Sequence, residues 1–354
     1  MQKLILSNYQ PPGDVVMLTA AVRDLHRCYP NQFLTDVRTA HPGLWENNPY
    51  ITPLDENDPE VRMLNCQYPL IGVANVRPVH FVHGFIDDLN QQLGLRIKPT
   101  RIAGDVYLSE SERKMPSLVH ELIGTELPAW IIVAGGKFDF TIKWWHFRRW
   151  QAVLDHFRDR VLFVQVGEAR HYHPPLRDAL DLRGRTSLRE LIRLVYHSAG
   201  VLCPVTFLMH LAAAVQCKPG ATSARPCVVV AGGREPATWE AYPGHRFLHT
   251  IGELPCCATG GCWRSRSVPL GDGDEKDLPQ HLCVDTVRNL PRCMDLITPD
   301  HVVDAVESCL ARPGGQRNRG GRKTLSHQRS VQTTPAAMDE CRNRSRQGAG
   351  ITCN

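Results

Sequence analysis

Trp130-Ile131-Ile132-Val133-Ala134-Gly135-Gly136 is a run of five apolar residues that stops at two glycines. A run this short, without polar alternation, reads as a strand buried on both faces, and the glycines as the turn that ends it. The segments that follow repeat the theme. Trp145 to Phe157 has helical spacing, Val161 to Val166 is apolar, Leu188 to Tyr196 is amphipathic, Gly200 to Cys203 is a strand, Leu208 to Gln216 a helix and Cys227 to Ala231 a strand. Apolar strands separated by helices are what a parallel sheet covered on both faces requires.

The N-terminal part opens in the same way. Lys3 to Ser7 is a strand, Asn8 to Gly13 is rich in turn formers, and Asp14 to Cys28 spaces Val15, Leu18, Val22 and Leu25 along one helix face. Phe33 to Arg38 is a second strand, so the chain begins as a βαβ unit. From Thr39 to Arg113 the pattern is irregular. Its clearest element is Val82 to Leu95, where Phe85, Ile86, Leu89 and Leu93 share a face. The simplest architecture is α/β with two doubly wound domains, residues 1–125 and 126–310, joined near Glu121 to Pro128. Ligands then belong in the cleft at the carboxyl ends of the strands.

A chain of 354 residues suits two such domains. The N-terminus has too few apolar residues before Asn8 for a signal-peptide core. The most apolar helix, Phe207 to Val215, falls well short of the roughly 20 residues that span a bilayer. No transmembrane segment is expected, and the expected location is the cytoplasm. Residues 311–354 carry nine Lys/Arg against two Asp/Glu, more than the whole chain's net charge of +5. The body before them is therefore slightly acidic, and nucleic acid is not an expected partner. That basic tail has almost no large apolar residues and is expected to be disordered. The thirteen cysteines crowd only between Cys256 and Cys293. In a reducing compartment such crowding points to metal ligands or free thiols before disulfides.

Several residues at strand ends can carry chemistry. Gly13 allows close backbone approach, and Asp14 suits either a general base or a helix cap, the cap being favoured on spacing alone. Gly135, Gly136 and Lys143 follow a strand and can hold a diphosphate, as can a helix N-terminus. Trp144, Trp145 and Trp150 serve equally well as interface packing or as a nucleobase platform. His210 is either a phosphate contact or a satisfied core histidine. Arg234, directly after the strand Cys227 to Ala231, is a candidate diphosphate partner. Cys257, Cys262, Cys283 and Cys293, with Cys256 as an alternative ligand, can close a tetrahedral Zn or Fe site or remain reduced thiols.

Five segments in order resemble glycosyltransferase family 9. Pro12-Gly13-Asp14-Val15-Val16-Met17 resembles its GxGDxxxxxP motif, Lys143-Trp144 its lysine-tryptophan pair, and Leu182 to Leu191 (LRGRTSLREL) its LxGKTSLxEL segment. Met209 to Ala214 is similar to its MHLAAA helix, and Cys293 to Pro299 (CMDLITP) to its CMxxITPE stretch. The similarity spans about residues 1 to 310, and the lipopolysaccharide heptosyltransferases are the family's familiar members. It implies a GT-B fold, in which two Rossmann-like domains face each other across a cleft, and inverting transfer of heptose or a similar sugar from a nucleotide diphosphate donor, ADP-linked in the family. It also implies a glycan or protein acceptor. Asp14 matches the family's base, which reverses the preference for a cap. Lys143, the Gly135-Gly136 turn, Thr206 and His210 would stabilise the departing diphosphate without a required metal, and Glu168 would reach the ribose. The cysteine-bound iron of the related autotransporter heptosyltransferases implies a structural Fe or Zn at the cysteine cluster. Where the family has Asn-Asp-Thr-Gly-Pro before its Met-His pair, this chain has Pro204-Val205-Thr206-Phe207-Leu208, so an acid on the sugar side is missing.

Two other classes remain open on the sequence: a GT-B-like sugar-nucleotide epimerase or hydrolase, and a non-catalytic binding protein on a degenerate scaffold. Retention of Asp14 and Lys143 weighs against the second.

Overall fold

The computed structural model describes residues 1–219 and 224–311. The expected basic tail, apart from Ala311, lies outside the described residues. β1 (Gln2–Asn8), α1 (Pro12–Cys28) and β2 (Phe33–Thr39) form the βαβ opening, with β1 parallel to β2. Helix α1 starts at Pro12, earlier than the apolar spacing indicates. Proline at the first helical position loses only an amide that has no partner there anyway. Asp14 in the first turn and His26 and Arg27 in the last complement the helix dipole. β3 (Val61–Asn65) pairs with the other edge of β1, giving a parallel sheet of order β2-β1-β3. α2 (Val82–Leu93) ends at Gly94, whose φ of 68° suits a residue without a side chain.

Two short helices, α3 (Glu110–Lys114) and α4 (Leu118–Ile123), lead into the second sheet. It is built from β4 (Ala129–Ile132), β5 (Leu162–Gln165), β6 (Leu180–Asp181), β7 (Gly200–Pro204), β8 (Cys227–Gly232) and β9 (Arg246–His249). All pairings are parallel, in the order β6-β5-β4-β7-β8-β9. The order in which the strands are added reverses between β4 and β7, which opens a crevice at their carboxyl ends, the place where doubly wound folds bind ligands. The helices are α5 (Phe147–His156), α6 (Leu188–His197), α7 (Phe207–Ala214), α8 (Ala237–Glu240), α9 (Arg292–Asp295) and α10 (Pro299–Leu310). Ser187 and Glu190 form the capping box that starts α6.

The apolar character of β4 is explained by its two covered faces. Trp130 and Ile132 pack with Trp150, Val153 and Val306 from α5 and α10, while Ile131 packs in the core that contains Leu208 and Leu211 of α7. The side chains of Trp145 and Trp150 belong to the outer core, edge to face at 4.7 Å, and Trp145 Nε1 donates to the Ile297 carbonyl. Among the described residues no helix is long and apolar enough to cross a membrane.

Candidate active site

A cavity of about 1000 Å³ opens where the carboxyl ends of the second sheet face the N-terminus of α1. Gly135 and Gly136 after β4, Glu168 after β5, Thr206 and His210 after β7, and Arg234 after β8 all line it. So do Gly13, Asp14 and Lys143. The structure thus brings every expected catalytic and donor-binding residue to one space.

Asp14 lies in the first turn of α1, but the N-cap position belongs to Pro11, and among the described residues no side chain caps the helix. The cap reading is therefore excluded. Burial pushes the Asp14 carboxyl above its ordinary range, against a hydrogen bond from Tyr68 and the charges of Lys143 and Lys137. A half-buried carboxylate with a raised pKa suits proton abstraction.

Lys143 ends a short 3-10 turn, Phe138–Lys143, whose position is fixed from the cysteine-rich segment. Ile142 N–H donates to the Ser265 carbonyl, and Ser267 N–H donates to the Thr141 hydroxyl. Lys143 Nζ lies 2.7 Å from Glu235 Oε1, and Arg234 pairs with the same oxygen. Glu235 is buried, and although burial opposes ionisation, the two cations hold its carboxyl below the usual range. Arg234 is further fixed by the Arg264 carbonyl at 2.7 Å and lies over the Phe140 ring. The result is a pair of cations on the cavity wall, of which a single carboxylate neutralises only one charge.

His210 is buried, with Nδ1 2.6 Å from the Tyr242 hydroxyl, which also reaches Met17 Sδ on α1. Burial, with the charges of His80, Lys143 and His245, takes its pKa down to about 3. It is a bonded, neutral imidazole and cannot supply a positive charge to a diphosphate. Its ring also explains Gly13: a Cβ there would meet His210 Cδ2 at 3.0 Å. Gly13 lets α1 and α7 approach each other.

Two further expectations need correction. The Gly136 amide donates to the Tyr172 carbonyl at 2.9 Å, and a Cβ on Gly135 would lie 1.9 Å from that same oxygen. These glycines make room for the 172 loop, and the Gly136 N–H is not free for a phosphate. Trp144 stacks on Tyr172 at 4.3 Å and, like Trp145 and Trp150, does not line the cavity, so none of the three is a nucleobase platform. Thr206 caps α7 by accepting from Leu208 N–H. Glu168 is exposed at the cavity edge, 3.5 Å from His171 Nε2.

Glu235, Glu240 and Tyr68 also line the cavity and are not among the expected site residues. The two glutamates follow Gly232-Gly233 at the ligand edge of the sheet, beside Trp239 and Tyr242. Acids set among large aromatics directly after a buried strand were the available signal.

Residues 101–219, which include Gly135, Lys143 and His210, match glycosyltransferase family 9 (heptosyltransferase). The match covers about a third of the chain and marks a similarity to that family. Three solved structures share the chain's fold. The glycosyl transferase family 9 protein from Veillonella parvula DSM 2008 is 13% identical, with a TM-score of 0.57 over 87% of this chain and 97% of that one. E. coli ADP-heptose LPS heptosyltransferase II is 14% identical, with a TM-score of 0.56 over 88% and 98%. The iron-containing dodecameric glycosyltransferase TibC from enterotoxigenic E. coli H10407 is 17% identical, with a TM-score of 0.58 over 87% and 76%, and TibC has also been solved with ADP-D-beta-D-heptose. At these identities the likeness is one of fold. No curated protein matches the chain.

The cysteine-rich segment packs behind Arg234. A Cβ on Gly233 would lie 3.0 Å from Cys257 Sγ and 3.4 Å from Cys293 Cβ. Cys262 and Cys293 each sense the charges of Cys257 and Cys283. Four thiols in one neighbourhood suit Fe or Zn as a donor set. Two are turned elsewhere, however: Cys257 donates to the Thr250 carbonyl and Cys283 to the Asp285 carbonyl, at 3.3 and 3.1 Å. Among the described residues no three His, Cys, Asp or Glu groups are set to hold an ion. The segment is also anchored by buried Arg266, paired with Asp272 and Asp277 at 2.7 and 2.6 Å.

Proposed function

We propose that the protein transfers a sugar, heptose or one similar, from a nucleoside diphosphate donor, ADP-linked, to a hydroxyl of a glycan or protein, with inversion. The division of labour falls between an acceptor half, residues 1–125, and a donor half, residues 126–310. Asp14 takes the acceptor proton while the acceptor oxygen bonds to the anomeric carbon. The bond from that carbon to the diphosphate breaks, and the diphosphate leaves with the electron pair toward Lys143 and Arg234. No metal is written into the step. The observation that carries the reading is that a carboxylate with a raised pKa and a pair of cations line one cavity at the switch point of a doubly wound sheet. TibC, which shares the fold, is the basis for ADP-heptose as the first donor to try. A cytoplasmic setting fits the free state of every described cysteine, and the four clustered thiols are proposed as ligands of a structural metal.

The test is thermal stabilisation against a panel of nucleotides and nucleotide sugars. A ligand at 100 times its Kd adds about 2.7 kcal/mol to folding stability. Stabilisation by ADP or ADP-heptose supports the transferase; a panel without any shift favours a degenerate binding scaffold.

A further inference from the structure

Glu240 closes α8 and is only 6% exposed, yet it lines the cavity. Its Oε2 is buried and has no hydrogen-bond partner among the described residues. The near group, Nε2 of His210, stands 3.6 Å away, beyond hydrogen-bond length. Tyr242 donates its hydroxyl proton to Met17 Sδ and therefore accepts from His210 Nδ1, which leaves Nε2 as a lone-pair acceptor by assignment of the network. His210 has no proton to offer this carboxyl. A buried polar oxygen without a partner is uncommon and costly, and on a cavity wall a ligand can supply what the protein does not.

The surrounding charges say which part of a ligand. Glu240 senses Glu235, Lys143, Asp14 and Arg234. On the transferase reading, on which this inference rests, Asp14 serves the acceptor oxygen while Lys143 and Arg234 serve the diphosphate. The group that joins those two in the reaction is the transferred sugar, whose anomeric carbon is bonded to the phosphate oxygen and attacked by the acceptor. A sugar hydroxyl both donates and accepts, so it fits a carboxyl oxygen in either protonation state.

We propose that Glu240 is the residue that recognises the transferred sugar, its Oε2 exchanging a hydrogen bond with a sugar hydroxyl between Asp14 and the Lys143–Arg234 pair. Glu240 then selects nucleoside diphosphate sugars that carry this hydroxyl over their deoxy analogues.

Titration calorimetry of the full chain with ADP and with ADP-heptose tests it, because the difference between the two isolates the sugar. The wild type binds ADP-heptose more tightly than ADP. Glu240→Ala loses about 5- to 100-fold in affinity for ADP-heptose, the span of leaving a buried hydrogen-bonding group without its partner, and keeps its affinity for ADP. Glu240→Gln retains most of the increment. Unchanged ADP affinity also shows that the cleft is folded; should the alanine variant not fold, Glu240→Met keeps the volume, deletes the hydrogen bond and is read in the same way. Equal weakening of both ligands, or an increment that survives removal of the carboxyl, overturns the assignment. A wild type that binds neither nucleotide overturns the transferase reading itself, an outcome distinct from either.

Discussion

Lys143 Nζ lies 2.7 Å from Oε1 of Glu235, a carboxylate whose side chain is 3% exposed. The pair holds the ammonium in place before any ligand arrives, so less side-chain entropy is lost on binding. Removing the ammonium leaves Glu235 with Arg234 alone, at a cost on the order of 2–3 kcal/mol, below the full penalty of an unpaired buried charge. Lys143→Ala should therefore lower the melting temperature and weaken ADP about tenfold or more. Both are read in one thermal-shift series, and an undiminished ADP shift in the variant would remove Lys143 from the diphosphate site.

Asp14 must be ionised to accept a proton, and burial raises its pKa. The acid limb of kcat/KM should accordingly lie above the ordinary carboxylate range, with activity rising as pH increases through it. Lys143 lowers this pKa, so Lys143→Ala should displace the limb further upward in whatever activity remains. Asp14→Asn should reduce turnover by about 10²- to 10⁴-fold while nucleotide binding persists. Turnover close to wild type in the asparagine variant would exclude Asp14 as the base.

How much of this was legible follows from where each residue sits. β4, β5, β7 and β8 are apolar because both faces are covered, and their runs announce them in the sequence. β6 has only two residues and β9 is half-exposed, so neither produces a run. The candidate residues could be found because the ligand edge of a parallel sheet always follows a strand. Their roles could not. That the Gly136 amide is spent on Tyr172, and that His210 is tied to Tyr242, depends on residues 36 and 32 positions away in sequence, which no local pattern encodes.

The cysteine cluster yields a chemical prediction. If Cys257, Cys262, Cys283 and Cys293 turn toward one another to hold a metal, the purified chain should contain about one Fe or Zn ion, bound as thiolates. Cys257→Ser and Cys293→Ser should each lose it. Elemental analysis of protein purified without chelator decides, and metal-free protein with wild-type stability would leave the thiols as buried side chains around Gly233.

Glu240 supplies a pH signature that needs no ligand. Burial and the charge of Glu235, with a smaller contribution from Asp14, push its carboxyl up to about 8 against the opposing charges of Lys143 and Arg234. The folded state therefore holds this proton more tightly than the unfolded chain, whose glutamate titrates near 4.5. Stability from the neutral carboxyl is complete below that lower value and is lost as pH rises toward about 8. Glu240→Gln cannot titrate and loses nothing over this window. The unfolding free energy of the glutamine variant minus that of the wild type should increase from pH 5 to 8, by at most about 1.4 kcal/mol per pH unit, and then level off. Urea titrations at several pH values measure the difference directly, and parallel profiles for the two proteins would mean that the carboxyl is ionised in the fold and the cavity wall more polar than its burial implies.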